Sequence, residues 1–240
     1  MVSGMTRRGK SRLSFASSRI TRGALYLLFA EVGLSLVLLL SDEPQRLQIL
    51  QWLAASASQV WHDYKFWTLV TSAILQPEFI SLLFDGLLLW LLLPTLERLW
   101  GTRKFLFFAL WTSLAATTVG TLFGLLIGSD TPIAGLDAFI YAGFVAYGVL
   151  FADHPVSFFG VLPMTGRQLM FGILGFLALF ITIGQRWVDG VAYLAAMTLA
   201  WLLTSGRFTP RLWYLRYKHK RLRRHLKVVR DHDDSDRILN

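Results

Sequence analysis

The sequence predicts an all-α membrane protein: a bundle of six transmembrane helices with an interfacial first loop and with both termini in the cytoplasm. Three observations lead to this fold class. Of the 240 residues, 54% are hydrophobic and 16% are charged, whereas an average soluble domain has about 25% charged residues. The apolar residues form long runs, each near the ~17–25 residues that cross the hydrocarbon core. The Lys and Arg residues are shared unevenly between the tails and the loops.

The first part of the chain combines a basic tail with the first apolar run. Residues 1–22 contain six Lys or Arg and no acid, so we predict a basic cytoplasmic tail. Residues 23–41 form the first predicted span, which carries Glu31 near its middle. Residues 42–66 contain Trp52, Trp61, Tyr64 and Phe66. Large aromatic residues at this density favour a segment lying along the bilayer surface.

Five further apolar runs complete the predicted membrane domain, which covers residues 23–206. The fourth span is thin, because small residues at positions 142, 143, 146 and 148 leave much of its surface without large side chains. Thin helices let their neighbours approach closely in lipid, so we predict this helix at the centre of the bundle. The five predicted spans cover residues 79–95, 105–128, 136–151, 168–184 and 188–205.

The distribution of positive charge predicts the orientation. With six spans, both tails lie on one side of the membrane, and that side receives 21 of the 24 Lys and Arg residues. An excess of positive residues marks the cytoplasmic side. The second tail, residues 207–240, carries eleven of them, and the stretch up to residue 230 interleaves them with aromatic residues. That pattern predicts binding to anionic lipid of the inner leaflet.

Composition also excludes several functions. The chain has no cysteine, which excludes disulfides and thiolate chemistry. The five histidines are scattered without metal-ligand spacing, so no metal site is expected. The net charge of +9 lies in tails and loops of a membrane protein, which argues for topology and lipid rather than for nucleic acid. We expect no cofactor.

Polar and small residues mark three of the predicted spans. Ser81 and Asp85 are four residues apart and therefore share one helix face. The turn 135–138, GLDA, places Asp137 in the first turn of the fourth span. In the sixth span Tyr193 shares a face with two small residues that form a helix-packing surface. The expected packing positions are Gly135, Ala138, Ala196 and Ala200.

Together with the phrase ERLWGTRKF at residues 97–105, this order and spacing resemble the rhomboid family of intramembrane serine proteases. The resemblance covers residues 23 to 206. In that family the second span carries a His…His-x-x-x-Asn pattern, the fourth begins with Gly-x-Ser-Gly, and the sixth carries Ala-His before a small-residue stripe. The resemblance therefore implies the rhomboid-like bundle.

The same resemblance implies that every position of the family's chemistry is degenerate here. Asp137 replaces the serine nucleophile, and Tyr193 replaces the histidine base. Gln76, Ser81 and Asp85 replace the polar residues of the second span. An aspartate has no nucleophilic hydroxyl, and tyrosine keeps its proton near neutral pH. An ionised Asp85 would also repel a developing oxyanion. We therefore expect no catalytic residues and no serine protease activity.

The expected protein is a rhomboid-like pseudoprotease that engages transmembrane client helices without cleaving them. Its binding cavity is expected to comprise Ser81, Asp85, Asp137 and Tyr193, with a lateral entrance beside the fifth span. The thin faces of the second and fifth spans would complete the client surface. In that cavity we expect the two aspartates to share one proton, with Asp137 hydrogen-bonded to Asp85 or Tyr193.

Two alternatives belong to other classes. An unconventional aspartyl-type intramembrane protease would use Asp85 and Asp137, because aspartic proteases work with two carboxyl groups that share a proton. A small-molecule or proton site is the third possibility. Glu31 is expected to be a protonated acid that takes part in helix packing. The expected location is a bacterial inner membrane, with the protein crossing it several times.

Overall fold

The computed structural model describes residues 20–153, 155–158 and 162–205. Nearly all of residues 1–22, the second tail at residues 207–240 and its predicted lipid-binding segment therefore lie outside the described residues. Within the described part, helices dominate and one small hairpin is present. The helices are α1 (Arg22–Leu40), α2 (Glu43–Leu53), α3 (Ala57–Trp61), α4 (Thr68–Thr71), α5 (Phe79–Leu91), α6 (Leu93–Trp100), α7 (Thr102–Ile127), α8 (Asp137–Leu150), α9 (Gly166–Gly184) and α10 (Trp187–Thr204).

Four of the described helices, α1, α7, α9 and α10, are long and apolar enough to cross a membrane. A fifth span results if Thr68–Ile74 and Phe79–Leu91, which meet at an angle of 83°, count as one broken span. Helix α8 is apolar but has 14 residues, a length of about 21 Å at 1.5 Å per residue. The prediction of an all-α membrane protein is confirmed at this level, with four to five candidate spans.

Five of the six predicted spans agree with a helix of the structure to within three residues at each end. The second predicted span is the exception. Helix α5 ends at Leu91 rather than near residue 95. Pro94 lies at the start of α6. A proline cannot donate to the carbonyl four residues earlier and clashes with it, so one continuous helix cannot run through this point. The chain therefore turns into the short helix α6 before Gly101 and α7.

The bundle is built around α8 and α10. Every residue of α8 from Ala138 to Gly148 except Tyr141 is buried, which confirms the prediction of a central, thin helix. A Cβ added at Gly143 would lie 2.6 Å from Leu93 Cδ2, and one at Gly148 would lie 2.5 Å from Met170 Cβ. Helix α10 packs against both α7 and α8. Its predicted packing residues, Ala196 and Ala200, are fully buried.

Helices α8 and α9 are connected by a feature that the sequence did not predict. Strands β1 (Pro155–Phe158) and β2 (Leu162–Thr165) pair antiparallel, with Pro155 opposite Thr165. Thr165 then caps α9: its side chain accepts a hydrogen bond from the Gln168 backbone N–H, and the Gln168 side chain accepts one from the Thr165 N–H. This reciprocal pairing is a capping box, and it fixes where α9 begins.

A buried carboxylate joins the N-terminus of α1 to α6 and α7. Glu97 is 3% exposed and accepts backbone hydrogen bonds of 2.8 Å from both Gly23 and Ala24. It also accepts bonds from the hydroxyls of Thr21 and Thr102. Burial by itself would raise the pKa of Glu97, but these four donors together lower that pKa below its usual range. A negative charge at a helix N-terminus is stabilising, so Glu97 fixes where α1 starts against the rest of the bundle.

Candidate functional site

The candidate site is organised by the extended segment that joins the 3₁₀ turn at residues 72–74 to α5. Pro77 disfavours a helical conformation at the residue before it, so the chain is extended where Gln76 lies. The Gln76 backbone N–H donates to Ser35 Oγ at 2.9 Å. Arg46 of α2 donates from Nη2 to the Pro77 carbonyl at 3.0 Å. Helices α1 and α2 thus hold this segment against the bundle.

The side chain of Gln76 bridges two carboxyl groups from different helices. Its Nε2 donates to Asp85 Oδ2 at 2.9 Å and to Asp137 Oδ2 at 3.3 Å. Because the two bonds share one nitrogen, the two Oδ2 atoms can be no further apart than the sum of these distances. Gln76 and Asp85 are each 3% exposed, while Asp137 is partly exposed. The structure thus brings Asp85 and Asp137 together through an amide.

The expected bond from Asp137 to Asp85 or Tyr193 is wrong. The hydrogen-bond partner that the described structure gives Asp137 is the Gln76 amide. Physically, an amide N–H₂ carries two donors and can serve both carboxyl groups at once, whereas two carboxylates can only share a proton. Gln76, which the sequence reading treated as a degenerate position outside the binding cavity, is therefore the centre of the cluster.

A glycine makes the close approach of the amide possible. Gly135 has φ +100°, a left-handed conformation that favours glycine. Its N–H donates to the Ser72 carbonyl at 2.9 Å. A Cβ at this position would lie 2.6 Å from Gln76 Nε2 and 3.1 Å from Asp137 Oδ2. The turn before α8 thus presents Asp137 to Gln76 only because residue 135 has no side chain.

A third acid, Glu31 of α1, belongs to the same cluster. Glu31 is fully buried, and neither of its carboxyl oxygens has a well-aligned hydrogen-bond partner among the described residues. Asp85 and the Leu136 backbone lie close to it, and Asp137 is within electrostatic reach. The sequence predicts Glu31 to be a protonated acid that takes part in helix packing. The structure places three carboxyl groups from α1, α5 and α8 around one glutamine.

A polar cavity of about 130 Å³ lies on the exposed side of this cluster. Gln76, Ser81 and Asp137 line it, together with the ion pair Arg186–Asp189 from the start of α10. Arg186 Nε lies 2.6 Å from Asp189 Oδ2, and sequence reading missed this pair although the two residues are three apart. The cavity therefore has charges of both signs in its wall.

Ser81 and Tyr193 take different places around this cavity. Ser81 is in the wall, and its hydroxyl donates to Glu78 Oε2 at 3.2 Å rather than to Asp85. Tyr193 is 8% exposed, and its ring packs on Tyr141 with centroids 5.1 Å apart. Tyr193 is within electrostatic reach of Asp137. The four residues predicted to form the binding cavity therefore surround one region, but only Ser81 and Asp137 line the described cavity.

The loop that precedes Asp137 is anchored to α3 and to the segment just before it. Asp130 accepts bonds from the Ser58 backbone N–H at 2.8 Å and from the Ser58 hydroxyl at 2.6 Å. Burial alone would raise the pKa of Asp130, but the Ser58 donors lower it below its usual range. Ala55 and Ile133 pair as an isolated antiparallel bridge. These contacts hold the turn at residues 133–136 in place.

The arrangement constrains the chemistry of the site. A hydrolytic serine needs a base within hydrogen-bond reach, and within the described residues the hydroxyl of Ser81 meets a glutamate, with no imidazole in the cavity. In the described part of the chain, no group of three or more His, Cys, Asp or Glu is placed to hold a metal ion. The cluster consists of one amide group that donates to two carboxyl groups, together with a third carboxyl group, Glu31, that lies next to Asp85.

One family of known proteins matches most of the chain. A family model described as "Eukaryotic integral membrane protein (DUF1751)" matches residues 22–210. No curated protein matches the chain. The prediction of an integral membrane protein with several spans is confirmed. The prediction of a bacterial inner membrane is wrong, because the matching family is eukaryotic; positive charge and hydropathy report the sidedness of a protein in a membrane, not the organism.

Proposed function

Because the chain belongs to this family of eukaryotic integral membrane proteins, we propose that it acts within a eukaryotic membrane as a rhomboid-like pseudoprotease. In this role it engages transmembrane client helices without cleaving them. The proposed topology has six spans with both termini in the cytoplasm. Helix α8 is the short fourth span, which together with the five candidate spans makes six, and the 21 positive residues assigned to one side set the orientation.

The observation that carries this proposal is the bridge made by Gln76. Three of the five positions that the resemblance assigns to degenerate chemistry are joined here, because the Gln76 amide nitrogen bonds to both Asp85 and Asp137. They come from three separate segments, so their convergence supports a rhomboid-like frame. What they form is a hydrogen-bonded tie between α5, α8 and the segment before α5. Hydrogen bonds of this kind stabilise the packing of the helices and do not point to catalysis.

The bridge also argues against the aspartyl-type protease. Two catalytic carboxyl groups share a proton and act on a substrate between them. Here the Gln76 amide lies between Asp85 and Asp137 and bonds to both. Asp85 is buried, and only Asp137 lines the polar cavity. The geometry therefore supports the pseudoprotease over the enzyme.

The client surface in this proposal lies beside α9. This helix is the least buried of the four long apolar helices, and it packs on α8 and α10. Gly172 and Gly175 leave open space at its surface, because a Cβ on either would meet nothing within 4 Å. Thin helices allow another helix to approach closely in lipid. A client helix therefore has a place to pack.

Helix α5, on the other side of the proposed entrance, presents a different surface. The expectation of a thin α5 face is wrong: its lipid-facing side carries Phe79, Ile80, Leu83 and Phe84, each more than half exposed. Helix α5 packs on α1, α6 and α8. Both helices therefore expose large apolar side chains, and α9 additionally leaves open space at Gly172 and Gly175 where a client helix can pack.

The test uses the full chain reconstituted in liposomes with a fluorescently labelled transmembrane helix of a rhomboid model substrate. We expect saturable energy transfer between helix and protein and no cleavage product. Gly172→Phe and Gly175→Phe should each weaken binding, because a large side chain fills the open face of α9. The matched control is Gly33→Phe in α1, which also points into open space but lies away from the proposed entrance.

Three results would contradict the proposal. Product formation that is abolished by Asp137→Ala would restore the aspartyl-type protease. Binding lost equally in Gly33→Phe and the two α9 variants would show nonspecific association in the bilayer. No energy transfer above that of an unrelated single-span helix would remove the client-binding role.

A further inference from the structure

A second cavity lies at the opposite ends of α8 and α10 from the polar site. Its volume is about 520 Å³, within the range of ordinary ligand pockets. The start of α7 contributes Arg103 and Lys104, and the ends of α8 and α10 contribute Leu150 and Thr204. Nothing in the proposed client-binding role uses this groove.

The groove contains hydrogen-bond donors without acceptors. Arg103 and Lys104 are exposed, and within the described residues no carboxylate forms a salt bridge with either. The Thr204 hydroxyl is buried and has no hydrogen-bond partner in the described structure. Guanidinium, ammonium and hydroxyl groups that converge in this way match the oxygens of a phosphate.

The rest of the wall is apolar and aromatic. Phe107, which lines the groove, is 60% exposed. Trp100 and Phe108 also line it, and their rings lie 5.0 Å apart. Tryptophan is enriched at the level of lipid headgroups. A ligand that fills this groove therefore needs a negative head and an apolar body.

We propose that this groove binds an anionic phospholipid, with the phosphate between Arg103 and Lys104 and the acyl chains along the apolar wall. A free phosphate would leave the apolar wall without a partner. The lipid is the occupant that matches both the charge and the apolar surface.

The experiment measures lipid binding to the detergent-solubilised full chain by native mass spectrometry. The probes are phosphatidylglycerol, phosphatidylcholine with the same acyl chains, and glycerol phosphate. We expect the first phosphatidylglycerol to bind at least about tenfold more tightly than phosphatidylcholine, and glycerol phosphate not to compete. The double variant Arg103→Gln/Lys104→Gln should lose about tenfold in phosphatidylglycerol affinity and bind phosphatidylcholine as the parent does.

The matched control is Arg22→Gln/Arg167→Gln, which removes two exposed positive charges outside the groove. This variant should lose less than about twofold, since diffuse attraction declines with distance and screening. An equal loss in both double variants would show that general positive charge, not the groove, holds the lipid. Equal affinity of the parent for the two lipids, or full competition by glycerol phosphate, would also overturn the proposal.

Quenching by brominated acyl chains localises the lipid independently. Brominated phosphatidylglycerol should quench tryptophan fluorescence, and Trp100→Phe should remove part of that quenching. The same part should be missing in Arg103→Gln/Lys104→Gln. An unchanged quenching amplitude in Trp100→Phe would place the lipid elsewhere and refute the groove as its site.

Discussion

Replacing Gln76 tests the centre of the polar cluster most directly. Gln76→Ala removes two hydrogen bonds to carboxyl groups, of 2.9 and 3.3 Å, and leaves those groups without their donor. Hydrogen bonds to charged groups contribute about 1.5–3 kcal/mol each, and the longer bond belongs at the low end of that range. We therefore expect the free energy of unfolding to fall by about 3–5 kcal/mol.

The assay is thermal unfolding in detergent micelles followed by circular dichroism. A loss of this size corresponds to a decrease in Tm of roughly 6–20 °C for a chain of this length. The matched control is Gln48→Ala on α2, where the side chain is exposed, and its Tm should stay within about 2 °C of the parent. The two variants remove the same side chain, so their difference reports the bridge.

A second variant tests the donor role rather than the shape. Gln76→Glu preserves the size of the side chain but replaces the N–H₂ donors with oxygen acceptors. When protonated, the new carboxyl group regains one donor, so this variant should lie closer to the parent at pH 5 than at pH 8. Gln76→Ala should show no such recovery. A Gln76→Ala variant as stable as Gln48→Ala would refute the bridge.

Three further predictions follow from other parts of the chain. Glu97→Gln should lower Tm, because an amide has one acceptor oxygen for four donors. The folded-state pKa of Glu97 is lowered, so its stabilising contribution is complete above the unfolded-state pKa of about 4.3 and is lost as the pH falls through the folded-state pKa. The difference in Tm between parent and variant, measured by circular dichroism, should therefore shrink in acid. The pair Asp137→Ser and Tyr193→His should not restore full protease activity, since Ser81 and Asp85 still leave the oxyanion poorly stabilised, and one missing donor costs about 10²–10³ in rate. Robust labelling by a fluorophosphonate probe would contradict this. A peptide of residues 207–230 should bind anionic liposomes in a salt-dependent way, and binding that ignores both lipid charge and salt would count against it.

The sequence by itself determined where most helices lie. An apolar run of nearly twenty residues has few alternatives to a helix, because each backbone group in lipid must be bonded within its own segment. For this reason the predicted limits of α1, α7, α9 and α10 agree closely with the structure. The small residues of α8 likewise predicted its central position, because small side chains let neighbouring helices pack closely on all sides of it.

The hydropathy pattern predicts wrong helix limits where a proline interrupts an apolar stretch of sequence. The apolar run predicts a second span that continues through Pro94, whereas helix α5 ends at Leu91. Hydropathy counts side chains and does not register a missing backbone donor. The hairpin between Pro155 and Thr165 was missed for a related reason: its strands have four residues each, too short a stretch for alternation to be recognised.

The polar cluster was decided by tertiary structure. The sequence marked Glu31, Asp85 and Asp137 as acids at unusual positions, and the resemblance placed the latter two near one another. It did not show that Gln76 joins them or that Glu31 lies beside them. Gln76 is separated from Asp137 by 61 residues, and no helical period relates positions so distant. Such partners meet only because the Pro77 bend, the Gly135 turn and the packing of α1 bring three segments to one point in a medium where each buried polar group needs a partner.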